Sequence, residues 1–133
     1  MPIGHVSVGV RDMKKAQAFY DSVLGKIGYK PIYPVNVDGV LVAVGYGETP
    51  DKPEFWIQLP INRQPASMGN GVHIAFDCAT RAQVDAFYVA AIEHQGADEG
   101  RPGLRAEYSP DYYGAFVRDP DGNKIEACCH THE

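Results

Sequence analysis

Two histidines and two oxygen-bearing side chains recur in this chain at one interval. His5 opens the segment His5-Val6-Ser7-Val8-Gly9-Val10, and His73 opens His73-Ile74-Ala75-Phe76-Asp77-Cys78. Gln58 follows Ile57, and Glu126 follows Ile125. A constant offset of 68 residues carries 5 to 73 and 58 to 126 alike. The same offset carries Ala18-Phe19-Tyr20 onto Ala86-Phe87-Tyr88 and Gly28 onto Gly96. An interval that survives across separate regions marks a duplicated unit. Two imidazoles and one carboxylate suit a divalent ion of zinc, nickel, manganese or iron and leave coordination positions open. Gln58 adds a neutral oxygen as a candidate fourth ligand. An ion with open positions polarises a chelated carbonyl or enolate oxygen, and Glu126 is the candidate catalytic base.

Those four side chains must be held by the elements around them. The first segment alternates: Val6, Val8 and Val10 face one way, while His5, Ser7 and Gly9 face the other. Asp12 is a candidate N-cap. Ala16, Phe19, Tyr20, Val23, Leu24 and Ile27 then follow at helical spacing as one apolar stripe. Pro31 and Pro34 predict an irregular or edge segment. Strands are expected over 35–39 and 40–44 with a turn at Asp38-Gly39, and again over Phe55 to Leu59, where Trp56 and Gln58 share a face. A connector rich in Pro and Gly spans Pro60 to Gly71.

The second copy repeats the plan. Ile74, Phe76 and Cys78 face the helices, and His73, Ala75 and Asp77 face away. Thr80 and Gln83 have capping-box spacing, and Val84, Phe87, Tyr88, Ala91 and Ile92 form the second stripe. A loop is expected over Glu99 to Gly103, and strands over Leu104 to Tyr108, Tyr112 to Val117 and Lys124 to Cys128, the last two joined by a turn at Asp121-Gly122. Each copy reads strand, helix, three strands. The whole is α+β: two βαβββ repeats, about 1–62 and 70–133, within a single domain covering 1–133. Side by side, two such sheets curve into a cup with the helices outside. A pseudo-twofold axis would bring His5, Gln58, His73 and Glu126 together on its inner face. Trp56 is placed there to stack on a flat substrate, with Tyr112 and Tyr113 lining the cup. Lys124, on the face of Glu126, offers a competing ion pair. The tail from Cys129 to Glu133 reads as polar and frayed, and Cys128-Cys129 with His130 and His132 as incidental to function.

Bulk properties narrow the function class. The chain has 133 residues, 44% of them apolar, which is enough for one core. A formal charge of −5 without a basic run disfavours nucleic acid and anionic membranes as partners. No apolar run approaches the ~20 residues of a membrane span, and no export signal opens the chain. Three cysteines, two of them adjacent, make no disulfide framework, so a reducing cytoplasm is the expected compartment.

Taken together, the paired units, the opening His-Val-Ser-Val-Gly-Val-Arg-Asp, the central Gly-Val-His-Ile-Ala-Phe and the closing Asp-Pro-Asp-Gly-Asn-Lys-Ile-Glu resemble the vicinal-oxygen-chelate superfamily. That group includes glyoxalase I, the extradiol dioxygenases and the bleomycin-resistance proteins. The resemblance implies a metal held by His5, Gln58, His73 and Glu126, a small-molecule substrate and a homodimer. Asn62 matches a glutathione-contacting asparagine of glyoxalase I, whereas the glutathione-contacting arginine of that enzyme corresponds to Gly9. Glyoxalase-like lyase or isomerase chemistry is the first reading; a metal-free drug-binding protein of bleomycin-resistance type and a ring-cleaving dioxygenase are the alternatives.

Overall fold

The computed structural model describes residues 2–133. The first unit comprises β1 (Val6–Gly9), α1 (Met13–Gly25), β2 (Lys30–Val37), β3 (Val40–Gly47) and β4 (Phe55–Gln58). The second comprises β5 (His73–Asp77), α2 (Arg81–Glu93), β6 (Ala97–Leu104), β7 (Tyr113–Arg118) and β8 (Lys124–Cys129). Each unit builds one four-stranded mixed sheet, in the orders β1-β4-β3-β2 and β5-β8-β7-β6. The first and last strands of each unit pair in parallel, and the remaining pairs are antiparallel. The architecture is the expected α+β arrangement of two βαβββ units. No described helix is long and apolar enough to cross a membrane.

The helix starts follow their capping chemistry. The Asp12 side chain accepts from Lys15 N, and the Thr80 hydroxyl accepts from Gln83 N. Each satisfies one of the amide donors that a helix leaves open at its first turn. Gln83 also accepts from Ala79 N, so its carboxamide reaches back across the helix start.

Four strands differ from the sequence expectation. β2 begins at Lys30 rather than at 35, β3 runs on to Gly47 rather than stopping near 44, β8 takes in the buried Cys129, which was expected in the frayed tail, and β6 occupies Ala97–Leu104, where a loop was expected. Residues 105–112 are instead turns, with Arg105 N bonded to Tyr112 O and Tyr108 N to Arg105 O. The physical reason lies in Gly100, Pro102 and Gly103. β6 is an edge strand paired only with β7, and its ladder breaks at Asp98/Gly100 and at Gly100/Gly103. Bulged edge strands tolerate Gly and Pro that a central strand would reject. β2, the corresponding edge of the first sheet, takes Pro31 and Pro34 in the same way, again with register shifts.

Both units send their apolar faces into one core. The helical stripes of α1 and α2 join Val8, Val10, Ile57, Phe76, Val117 and Ile125 in a single buried cluster. Phe55 of the first sheet meets Phe76 of the second with ring centres 5.2 Å apart, and Tyr20 meets Phe55 at 5.1 Å. Phe55 is 1% exposed, and truncating such a side chain to alanine costs about 3–5 kcal/mol. The closing motif completes the join. Asn123 Nδ2 donates to Gly9 O at 3.0 Å, Tyr20 donates to Asp119 at 2.6 Å, and Arg11 N donates to Asp121 at 3.0 Å. Because the apolar faces share this core, the polar face of each sheet is turned away from it.

Candidate active site

His73 and Glu126 meet on the polar face of the second sheet. In the parallel ladder His73 stands opposite Lys124, and Glu126 stands opposite Ala75, two residues further on. His73 Nε2 lies 3.0 Å from Glu126 Oε1. An ionised carboxylate only accepts, so the imidazole N–H is the donor. The other carboxylate oxygen accepts from the Tyr112 hydroxyl. The Glu126 side chain is 3% exposed and that of His73 43%, so a buried acid is reached through an accessible imidazole. Burial raises the pKa of Tyr112 well above the usual phenol value, and its hydrogen bond to Glu126 adds to this. Tyr112 therefore holds its proton on the carboxylate across the ordinary pH range. A side chain on Gly114 would crowd this pair: an added Cβ would lie 3.1 Å from the Tyr112 ring and 3.4 Å from Glu126 Oε2. Lys124 does not compete for Glu126; its ammonium sits over the Phe116 ring at 5.3 Å.

The first sheet carries a different half-site. Gln58 stands opposite Gly9, four residues beyond His5, and Trp56 stands opposite Ser7, two beyond it. Trp56 therefore holds, relative to His5, the ladder position that Glu126 holds relative to His73. The His5 and Trp56 rings meet edge to face at 6.4 Å, with Tyr33 against the indole at 5.7 Å. Gly45 leaves room for that indole, since a Cβ there would come within 2.9 Å of it. The polar face and the 59–66 segment enclose a cavity of about 1090 Å³. His5, Trp56 and Gln58 line it, with apolar walls from Val35, Val37, Val42 and Leu59 and with Arg11 and Arg63 among its cationic groups. Its lining residues come from the first unit and from the connector that follows it, and none from the second unit.

The sequence-predicted set thus falls into two pairs, His5 with Gln58 and His73 with Glu126. Among the described residues, His5, His73 and Glu126 do not gather their donor atoms within 4.8 Å; the grouping that does is Asp77, Cys128 and His130. Trp56 lines the cavity and Tyr112 touches Glu126. Tyr113 is turned to the helix side, where it donates to Asp85 at 2.6 Å and lies under the Arg81 guanidinium. Asn62 is exposed in a turn, its carboxamide oxygen accepting from Gln64 N at 3.0 Å. Sequence reasoning missed Tyr33 and the 59–66 wall. It also missed the glycines that make room for Trp56 and Tyr112, although Gly45 and Gly114, each interrupting an apolar strand, were the available signal.

Residues 2–127 match the family model described as the glyoxalase/bleomycin resistance protein/dioxygenase superfamily. A protein of Shouchella clausii named metallothiol transferase FosB is 31% identical over 97% of this chain and 79% of its own length. A lactoylglutathione lyase of Neisseria meningitidis serogroup A is 32% identical over 95% of this chain and 88% of its own. A solved structure of a glyoxalase/bleomycin resistance protein from Albidiferax ferrireducens superposes with a TM-score of 0.81 at 40% identity, covering 96% of this chain and 98% of that one.

Proposed function

Because the chain belongs to the glyoxalase/bleomycin resistance protein/dioxygenase superfamily, we propose that it is a glyoxalase-like metal-dependent enzyme, of lyase or isomerase type, acting on a small molecule through neighbouring oxygen atoms. The observation that carries this reading is the approach of His73 Nε2 to the buried Glu126 carboxylate at 3.0 Å. An imidazole and a carboxylate meeting at the mouth of a buried site are a donor set suited to a zinc-, nickel-, manganese- or iron-class ion. Bound there, such an ion supplies Lewis-acid polarisation of the oxygens that chelate it. To ligate, His73 would carry its ring proton on Nδ1 and leave Nε2 free. Glu126 is the group placed to accept a substrate proton. Tyr112, which keeps its own proton, holds the second carboxylate oxygen and orients the first.

His5 completes the set in this reading only from a second copy of the chain. Each sheet presents its polar face away from the shared core, so one copy offers two half-cups. Two copies, each laying its first sheet over the second sheet of the other, close two full cups. The cavity beside Trp56 then becomes the substrate wall, with the indole for a flat or apolar group and Arg11 or Arg63 for an anionic one. Gln58 stands two residues beyond Trp56, which holds the ladder place equivalent to that of Glu126, and we assign it to the substrate wall before the metal. The three free cysteines fit a reducing, cytoplasmic compartment.

The test is metal analysis of protein purified without chelator, beside a His5→Ala, His73→Ala double variant. We expect stoichiometric divalent metal in the first and its loss from the Glu126 site in the second; equal and near-zero metal in both sinks the reading. The apolar walls of the Trp56 cavity also favour a second reading, a metal-free binder of apolar small molecules. Ligand quenching of Trp56 fluorescence that persists in EDTA supports that one, and quenching abolished by EDTA removes it.

A further inference from the structure

We propose that Asp77, Cys128 and His130 form a second metal site, selective for a zinc-class divalent ion and separate from the His73–Glu126 pair. Their donor atoms lie within 4.8 Å of one another. The geometry is built by the sheet. Asp77 stands directly opposite Cys128 in the parallel β5–β8 ladder, and Cys128 and His130, two residues apart, project from the same side of the chain. Cys128 Sγ lies 3.9 Å from His130 Nε2. Ligand bonds of zinc length around a tetrahedral ion would set that separation at about 3.6 Å, so a small rotation of either side chain suffices.

The imidazole is already held. His130 meets the Tyr112 ring edge to face at 4.9 Å and 89°. Cys128 is buried, while Asp77 and His130 are exposed, so the site has a soft ligand at its base and an open mouth. A thiolate donor distinguishes it from the imidazole–carboxylate pair next to it, because sulfur selects zinc over magnesium- or manganese-class ions. Along β8 Cys128 lies two residues beyond Glu126 on the same face, about 7 Å, so the two sites are neighbours with room for one ion each. Three protein ligands leave a fourth position for water or a substrate atom. The inference stands on its own donors and does not depend on the proposed function.

Cobalt(II) titration of the full-length, metal-stripped protein tests it, because a thiolate ligand adds a charge-transfer absorption in the near ultraviolet. We expect that band, displaced by zinc, in the wild type and in the His73→Ala variant, and its loss in Cys128→Ser. His130 is exposed, so His130→Ala leaves the fold intact; it should weaken cobalt binding by more than the roughly tenfold that even an outer-sphere partner commands. Absence of the band from the wild type overturns the proposal. So does its survival in Cys128→Ser, or an unchanged cobalt affinity in His130→Ala should the serine variant fail to fold.

Discussion

His73 and Glu126 lie two residues out of step on adjacent parallel strands, and that stagger brings Nε2 of one to 3.0 Å from Oε1 of the other. The first unit repeats the histidine but slides the partner strand by two further residues, so that Trp56 fills the equivalent place beside His5. A duplicated unit has thereby become two unlike halves: one supplies an acid and a base, the other an imidazole and an aromatic wall.

If the halves of different copies meet, single-residue losses should complement. A His5→Ala chain and a His73→Ala chain each lack a ligand in both cups. In a mixed dimer, one cup inherits both defects and the other neither. Random exchange makes half the dimers mixed, so the mixture should recover about a quarter of the wild-type metal bound at the Glu126 site. Metal analysis after co-refolding measures it with no knowledge of the substrate. Recovery indistinguishable from zero, in a sample that mass measurement shows to be mixed, would place the cup within one chain or dismiss it.

The Trp56 wall depends on a missing side chain. A methyl group at residue 45 would come within 2.9 Å of the indole and of the Pro53 side chain. Gly45→Ala should therefore cost about 1–3 kcal/mol through overpacking and push the indole toward the cavity. Denaturant melts give the first number, and the wavelength of Trp56 emission reports the second. An unchanged melt with unchanged emission would mean that the wall is softer than its contacts imply.

Much of this architecture was legible because period and spacing are local. Alternation at Val6–Val10, the caps Asp12 and Thr80, and the stripes around Phe19 and Phe87 each lie within one element. The 68-residue repeat extended that reading to the sheets. What stayed hidden depends on register and edges. No local pattern tells Trp56 from Gln58 as the partner of His5, because both lie on one face and only the ladder decides. β6 was lost because Gly100, Pro102 and Gly103 suit a bulged edge strand as well as a loop. Tyr113 was misjudged for cup lining because adjacent residues of a strand point to opposite faces, and only the sheet decides which one Tyr112 takes.

Removing the Tyr112 hydroxyl isolates its positioning role. In Tyr112→Phe the buried Glu126 carboxylate loses one of its two partners, a loss of about 1–3 kcal/mol for a charged acceptor. The carboxylate is then less firmly oriented, so metal affinity should fall by roughly tenfold or more. Metal titration at one fixed pH, beside a melt of the same variant, reads the loss. An unchanged affinity would mean that the Tyr112 contact is structural alone.

Alkaline pH should unfold the protein earlier than its net charge suggests. Tyr20 is fully buried and donates to Asp119, Tyr46 donates to Asp21, and Tyr29 donates to Glu54. Burial comes first among the causes that raise all three phenols, pushing Tyr29 up to about 12, Tyr46 further, and Tyr20 well above the usual phenol value. The folded state thus favours neutral phenol, while the unfolded chain ionises near the ordinary value of 10.0. Unfolding then releases protons, so the contribution is fully present below about pH 10 and is lost as pH rises through the folded values. The melting temperature should be flat from pH 7 to 9 and fall steeply above 10, and Tyr29→Phe should soften the fall between about 10 and 12. Tyrosinate absorbance followed with circular dichroism gives the decisive comparison. Ionisation of all eight tyrosines while the fold persists would show that these hydroxyls are far more accessible than their partners require.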